Sequence, residues 1–138
     1  MIVIKESPYR GCHRSPCSDG NAPLHDMTVL YPDDIYSSKA AVYYGHYGGG
    51  RHPVDLKAIN IIHSYRGKPN KNVKIYRAVP KGSNAKINKG DWVTITKEYA
   101  EDHGRSNLGG NYEIVSKVVK AKDIYSEANS IHEFGYSP

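Results

Sequence analysis

The sequence is short of the large apolar residues that usually build a core, with one Phe, one Trp and two Met. No apolar run approaches the ~18 residues that a helical membrane span requires, which excludes that class of protein. The amino terminus, MIVIKESPYR, lacks a basic start followed by an apolar stretch of about 7–15 residues. No secretory signal is therefore expected, and the cytoplasm is the expected location. Cysteine is scarce too. Cys12 and Cys17 stand four residues apart in C-x4-C spacing, with His13 between them and His25 beyond. That spacing suits a zinc knuckle poorly and no second pair of ligands follows, so no metal is expected. A disulfide stays open, and plain reduced thiols are the favoured reading. Acidic residues are outnumbered, 14 against 19 Lys and Arg, for a net charge of +5. The excess favours anionic partners such as a dinucleotide, nucleic acid or an acidic protein face, although no long basic run distinguishes it from a solvated basic surface.

What the chain has in quantity is tyrosine, 12 residues in 138. Their hydroxyls need partners when buried, which points to a small core and a polar, grooved surface. The length suits a single domain, residues 1–138. Residues 6–31 are rich in Pro, Ser, Gly and His and show neither period 2 nor period 3.6, so 1–31 is expected as an irregular segment wrapping a site. Pro32-Asp33-Asp34 opens a predicted helix running to about Gly45. A clearer helix begins at Pro53, with Val54, Ala58, Ile61, Ile62 and Tyr65 on one stripe, and stops at Gly67. His63 in its last turn reads as a structural, solvent-facing cation.

From residue 72 the period changes to two. Val73, Ile75, Arg77 and Val79 share one face of a strand ended by Pro80. Asp91–Thr96 predicts a second strand, Lys97–His103 a short helix ending at Gly104, Tyr112–Ala121 a long strand and Ser130–Tyr136 a last one. Helices first and strands after predict an α+β domain with a mostly antiparallel sheet.

Arg77 breaks the pattern of its own strand, because it points where aliphatic residues should pack. A charge there must be paired or must line a cleft. Glu133 repeats the anomaly, sharing a strand face with Ile131 and Gly135, and glycine leaves room for another molecule at the backbone. The two could pair with each other, or form a site. Thr94 and Thr96 share a face, where hydroxyls hold a carboxylate or cap the next helix.

Taken together, Ile75-Tyr76-Arg77-Ala78, Thr94-Ile95-Thr96 and Ile131-His132-Glu133 resemble the three-part signature of mono-ADP-ribosyltransferases of the Arg-Ser-Glu class. Roughly residues 9–136 also resemble a domain of bacteriophage proteins. The similar stretches are Ala22-Pro23-Leu24-His25-Asp26, Tyr31-Pro32-Asp33-Asp34-Ile35-Tyr36, Gly90-Asp91-Trp92-Val93-Thr94 and Ser130 to Tyr136. The resemblance implies an ADP-ribosyltransferase-like split, mostly antiparallel β-sheet core with N-terminal helices. It implies NAD⁺ as co-substrate, no metal, a macromolecular acceptor, and host or defence machinery as the setting of a phage-encoded enzyme in the host cytoplasm. Glu133 would be catalytic. Arg77 would bind the pyrophosphate, the Ala78 backbone the nicotinamide amide, and Thr94 would orient Glu133, with Thr96 beside it. One tyrosine, Tyr31, Tyr99 or Tyr136, would stack on a ring, and His25 with Asp26 could belong to a lid. Thr replaces Ser in the hydroxyl motif, and Ile131 stands where many relatives have Glu or Gln to present the acceptor. An inactive binding module of the same fold, or a small basic nucleic-acid-binding protein, are the alternatives.

Overall fold

The computed structural model describes residues 15–138; Cys12, His13 and the first part of the irregular segment lie outside the described residues. The domain is α+β, and its paired strands are antiparallel. Strand β1 (Ala22–Pro23) is followed by two 3-10 turns (Met27–Val29 and Asp33–Tyr36), helix α1 (Ala40–Tyr44) and helix α2 (Pro53–Tyr65). Then come β2 (Asn72–Pro80), β3 (Trp92–Val93), α3 (Lys97–Asn107), β4 (Tyr112–Lys120), β5 (Ile124–Ser126) and β6 (Phe134–Tyr136). The strands divide into a four-stranded sheet, in the order β1-β5-β6-β3, and a two-stranded ribbon, β2-β4. One isolated bridge, Tyr76 to Thr94, joins ribbon to sheet. Among the described residues no helix is long and apolar enough to cross a membrane.

The segment expected to be irregular contributes to the core. Ala22, Leu24 and Met27 are fully buried, and β1 pairs with β5. The helix expected over 32–45 is instead a 3-10 turn, a break at Ser37 and the short α1. Helix α2 matches its expected span. Pro53 starts it, the His52 ring accepts from the Val54 N–H at 3.2 Å, and Gly67 follows its end with a φ of +73°. Val54, Ala58 and Ile62 of the expected stripe face inward together with Asp55 and Ile59, while Ile61 and Tyr65 pack partly buried against the core. His63 is structural but is turned to the protein rather than to solvent, its Nε2 donating to the Ile35 carbonyl at 2.8 Å.

Gly104 does not stop α3. The helix runs through it to Asn107, and glycine is needed at 104 for packing, since a Cβ there would lie 2.4 Å from the Tyr112 ring. The missing side chain lets α3 pack closely onto β4. One hydrophobic cluster gathers Leu24, Ile35, Ile62, Ile75, Ile124, Ile131 and Phe134 from both sheets, α2 and the leading segment. Helix α3 packs on the ribbon.

Candidate functional site

The cleft opens where the sheets part. Tyr76 exchanges both backbone hydrogen bonds with Thr94, at 2.9 Å each. Ladder alternation turns the N–H and C=O of Ala78, two residues on, toward the same edge, where the strands have begun to diverge. Arg77 fills part of that gap. Its Nη1 donates to the Trp92 carbonyl at 2.9 Å, which fixes one of the five guanidinium N–H groups and leaves the others for a ligand. Arg77 is half-buried and shares its strand face with the buried Ile75 and Val79, as the alternation predicted. No ion pair joins Arg77 to a carboxylate among the described residues. The purely structural Arg77–Glu133 pair that the sequence allowed does not form.

Arg77, Ala78, Thr94, Tyr99 and Glu133 line one cleft of about 430 Å³, together with Tyr76, Trp92, Val93, Ala100, His103 and Leu108. That volume lies within the usual range of ligand sites. Glu133 is not on a strand face with Ile131 and Gly135. Ile131 and His132 form a turn ahead of β6, both fully buried, and Glu133 emerges half-buried from it. Nor does Gly135 make room for another molecule: a Cβ there would lie 2.0 Å from the backbone oxygen of Pro16, so the chain's own leading segment occupies that space.

The hydroxyl that meets Glu133 is that of Tyr99, which donates to Oε2 at 2.7 Å. Thr94 is instead engaged locally, its Oγ1 accepting from the Thr96 N–H at 3.4 Å. Thr96 is fully buried and caps α3 by accepting from the Tyr99 N–H at 3.4 Å, so it positions Tyr99 without lining the cleft. Burial, then the hydrogen bond to Glu133, pushes the Tyr99 hydroxyl well above the ordinary tyrosine range, keeping it a donor.

No family model, curated protein or solved structure matches the chain. The site therefore rests on its own geometry.

Behind Glu133 lies a buried pair that sequence reasoning missed. His132 and Asp55 are both fully buried, and the His132 Nε2–H donates to Asp55 Oδ1 at 2.6 Å. Asp55 also accepts the backbone N–H groups of His46 and Tyr47, at 2.9 Å each. Burial raises the Asp55 carboxyl, but these three donors outweigh it and hold the group below the usual range. Burial pushes the His132 imidazole down against the pull of Asp55, so the ring is held toward its neutral form. Tyr99 lies flat on His132, centroids 4.5 Å apart and planes 7° apart. The Tyr47 hydroxyl reaches Asp102 on α3, and its ring stacks on His52 at 4.0 Å.

The remaining sequence candidates lie elsewhere. His25 is not among the cleft residues; its carbonyl accepts the Gly67 N–H at 2.8 Å, tying the leading segment to the end of α2. Asp26 accepts from the N–H of Thr28 at 3.1 Å and caps the first 3-10 turn. Tyr31 packs edge-on against Tyr44, and Tyr136 lies under Lys117. Cys17 is disulfide-bonded, which corrects the expectation of reduced thiols. No group of metal-ligating side chains occurs among the described residues. Trp92, exposed and lining the cleft, was not singled out; a strand residue beside a break in pairing is the signal that could have found it.

Proposed function

We propose that this domain is a mono-ADP-ribosyltransferase that cleaves NAD⁺ and passes ADP-ribose to a macromolecular acceptor, on an ADP-ribosyltransferase-like split sheet. The observation that carries the reading is one cleft holding an unpaired guanidinium on the ribbon and a carboxylate from the turn ahead of β6. A structural pair would neutralise itself; these two groups leave their charges for a third body. The guanidinium fork suits a pyrophosphate. The backbone of Ala78 suits an amide such as that of nicotinamide, and Trp92 or Tyr76 offers an aromatic face to a planar ring.

In the proposed reaction the nicotinamide–ribose bond breaks and its electron pair leaves with nicotinamide, which departs neutral. Positive charge builds on the ribose, as in glycoside cleavage, and the Glu133 carboxylate stabilises it. A nucleophilic atom of the acceptor then bonds to the ribose and loses its proton. A phage-encoded enzyme of this kind would act on host or defence machinery, and nothing in the residues selects the acceptor. Ile131 is sealed in the core, so any group that presents the acceptor comes from elsewhere.

The test is chromatographic measurement of nicotinamide released from millimolar NAD⁺, with and without bacterial lysate as acceptor. Wild type should release nicotinamide, and Glu133→Gln should lower turnover by about two orders of magnitude or more. Absence of release in both conditions, together with no NAD⁺-dependent thermal shift, refutes the reading.

A further inference from the structure

Glu133 has little holding it in place. It precedes β6 rather than lying within it, and its N–H reaches only the Ser130 carbonyl at 3.5 Å. Its side chain has three rotatable bonds, and a preorganised catalytic carboxylate must have them fixed before substrate arrives. Among the described residues the Tyr99 hydroxyl is the hydrogen-bond partner of that carboxylate.

Tyr99 itself is held from three sides. Its N–H is capped by Thr96 in the first turn of α3. One ring face lies on the fully buried His132 ring, and the His46 ring meets it in a T-shaped contact with centroids 5.5 Å apart. His132 is in turn fixed by Asp55, which α2 carries and which also anchors the loop through His46 and Tyr47. A continuous path of contacts thus runs from the 13-residue helix α2 through Asp55, His132 and Tyr99 to Glu133.

We propose that Tyr99 is the positioning residue of Glu133, buttressed by the His132–Asp55 pair, and that it is not a ring on which substrate stacks. This deepens the transferase reading and rests on it. Donation to Oε2 leaves Oε1 as the oxygen that meets the ribose. The hydroxyl-bearing strand end then has a different task from the one its resemblance implies. Thr96 sets the start of α3, and α3 delivers the hydroxyl through Tyr99.

The decisive variant is Tyr99→Phe, which keeps the ring on His132 and removes only the hydroxyl. Nicotinamide release should show kcat lowered about tenfold or more, with KM for NAD⁺ within about threefold, the pattern of a group acting in the transition state. Combined with Glu133→Gln it should add little further loss, because both changes disable one unit. Wild-type kcat in Tyr99→Phe, a rise in KM alone, or losses that multiply in the double variant would each overturn the proposal. A second readout needs no activity: titration of ¹³Cζ-labelled tyrosine by NMR. Glu133, His132, His46 and Tyr47 are the titratable groups around the Tyr99 ring. Tyr99 should titrate above the ordinary tyrosine range in wild type and move down in Glu133→Gln. An unmoved titration overturns the proposal even if the protein releases no nicotinamide, whereas a moved titration without release upholds the hydrogen bond and refutes the transferase reading alone.

Discussion

Asp55→Ala is expected to be the most damaging single substitution near the site, although Asp55 touches no part of the cleft. The carboxylate is fully buried and accepts three hydrogen bonds, from His132 at 2.6 Å and from the backbone of His46 and Tyr47 at 2.9 Å. Hydrogen bonds to a charged group are worth about 1.5–3 kcal/mol each, so simple addition gives about 4.5–9 kcal/mol. Two corrections lower that sum. His46 is exposed and Tyr47 half-buried, so water can satisfy part of what their amides lose. Removing Asp55 also removes its own desolvation cost. The net expectation is about 3–5 kcal/mol, the usual result of orphaning one half of a buried pair. For a domain of this size that lowers Tm by roughly 10–25 °C. Circular dichroism melts and urea titrations would measure it, with Glu98→Ala as the control. The Lys57–Glu98 pair is about half exposed on both sides, so its loss should cost less than about 1 kcal/mol. An Asp55→Ala protein within about 1 kcal/mol of wild type would refute the claim that this pair holds loop, helix and turn together.

Arg77→Ala should abolish the rise in Tm that NAD⁺ produces while leaving the melting of the free protein nearly unchanged, since the side chain makes a single hydrogen bond, to Trp92; an undiminished shift would mean that another group holds the phosphates. Gly135→Ala should destabilise by about 1–3 kcal/mol or more through overpacking, because the added carbon falls 2.0 Å from the Pro16 oxygen; a neutral variant would show that the leading segment does not lie tightly on β6. Stability should also fall on acidification. His132 is depressed relative to the unfolded chain, so its contribution is complete above about pH 6.5 and declines as pH drops toward its folded value, and that of Asp55 follows below about pH 4. Urea midpoints measured from pH 7.5 to 5 should slope accordingly, and an identical slope in His132→Phe would assign the effect to other groups.

The parts of this domain legible in the sequence are those governed by local period. The helix from Pro53 and the strand through Arg77 both repeat their pattern long enough to be read, and Arg77 stands out because its neighbours on the strand face are aliphatic. Three other features depend on contacts outside the local pattern. Asp55 in a first helical turn reads as a partner for the helix dipole; only His132, 77 residues away, makes it a buried acceptor. Strands β1 and β5 span two and three residues, too short for any alternation to show. Gly104 and Gly135 read as a stop and as an opening, yet each is a contact surface, for the Tyr112 ring and for Pro16 respectively. Glu133 stands out in the sequence as a carboxylate on a strand face, yet the turn at Ile131-His132 breaks the strand in which it is expected. The Tyr99–Glu133 hydrogen bond joins residues 34 apart, beyond what spacing can disclose.

The two ends of the cleft belong to separate pieces of sheet. Arg77 rides on the ribbon, Glu133 leads into β6, an inner strand of the four-stranded sheet, and one bridge at Tyr76 and Thr94 joins the two pieces. Among the described residues only that bridge continues the ladder from one piece to the other, yet Val73 and Ile75 of the ribbon share one apolar cluster with Ile124 and Phe134 of the sheet. Helix α3 lies across the ribbon and also bears Tyr99, whose hydroxyl meets Glu133. A molecule held by both charges would therefore span two pieces of sheet already clamped by a common core, and the mouth between them stays open at little cost in packing.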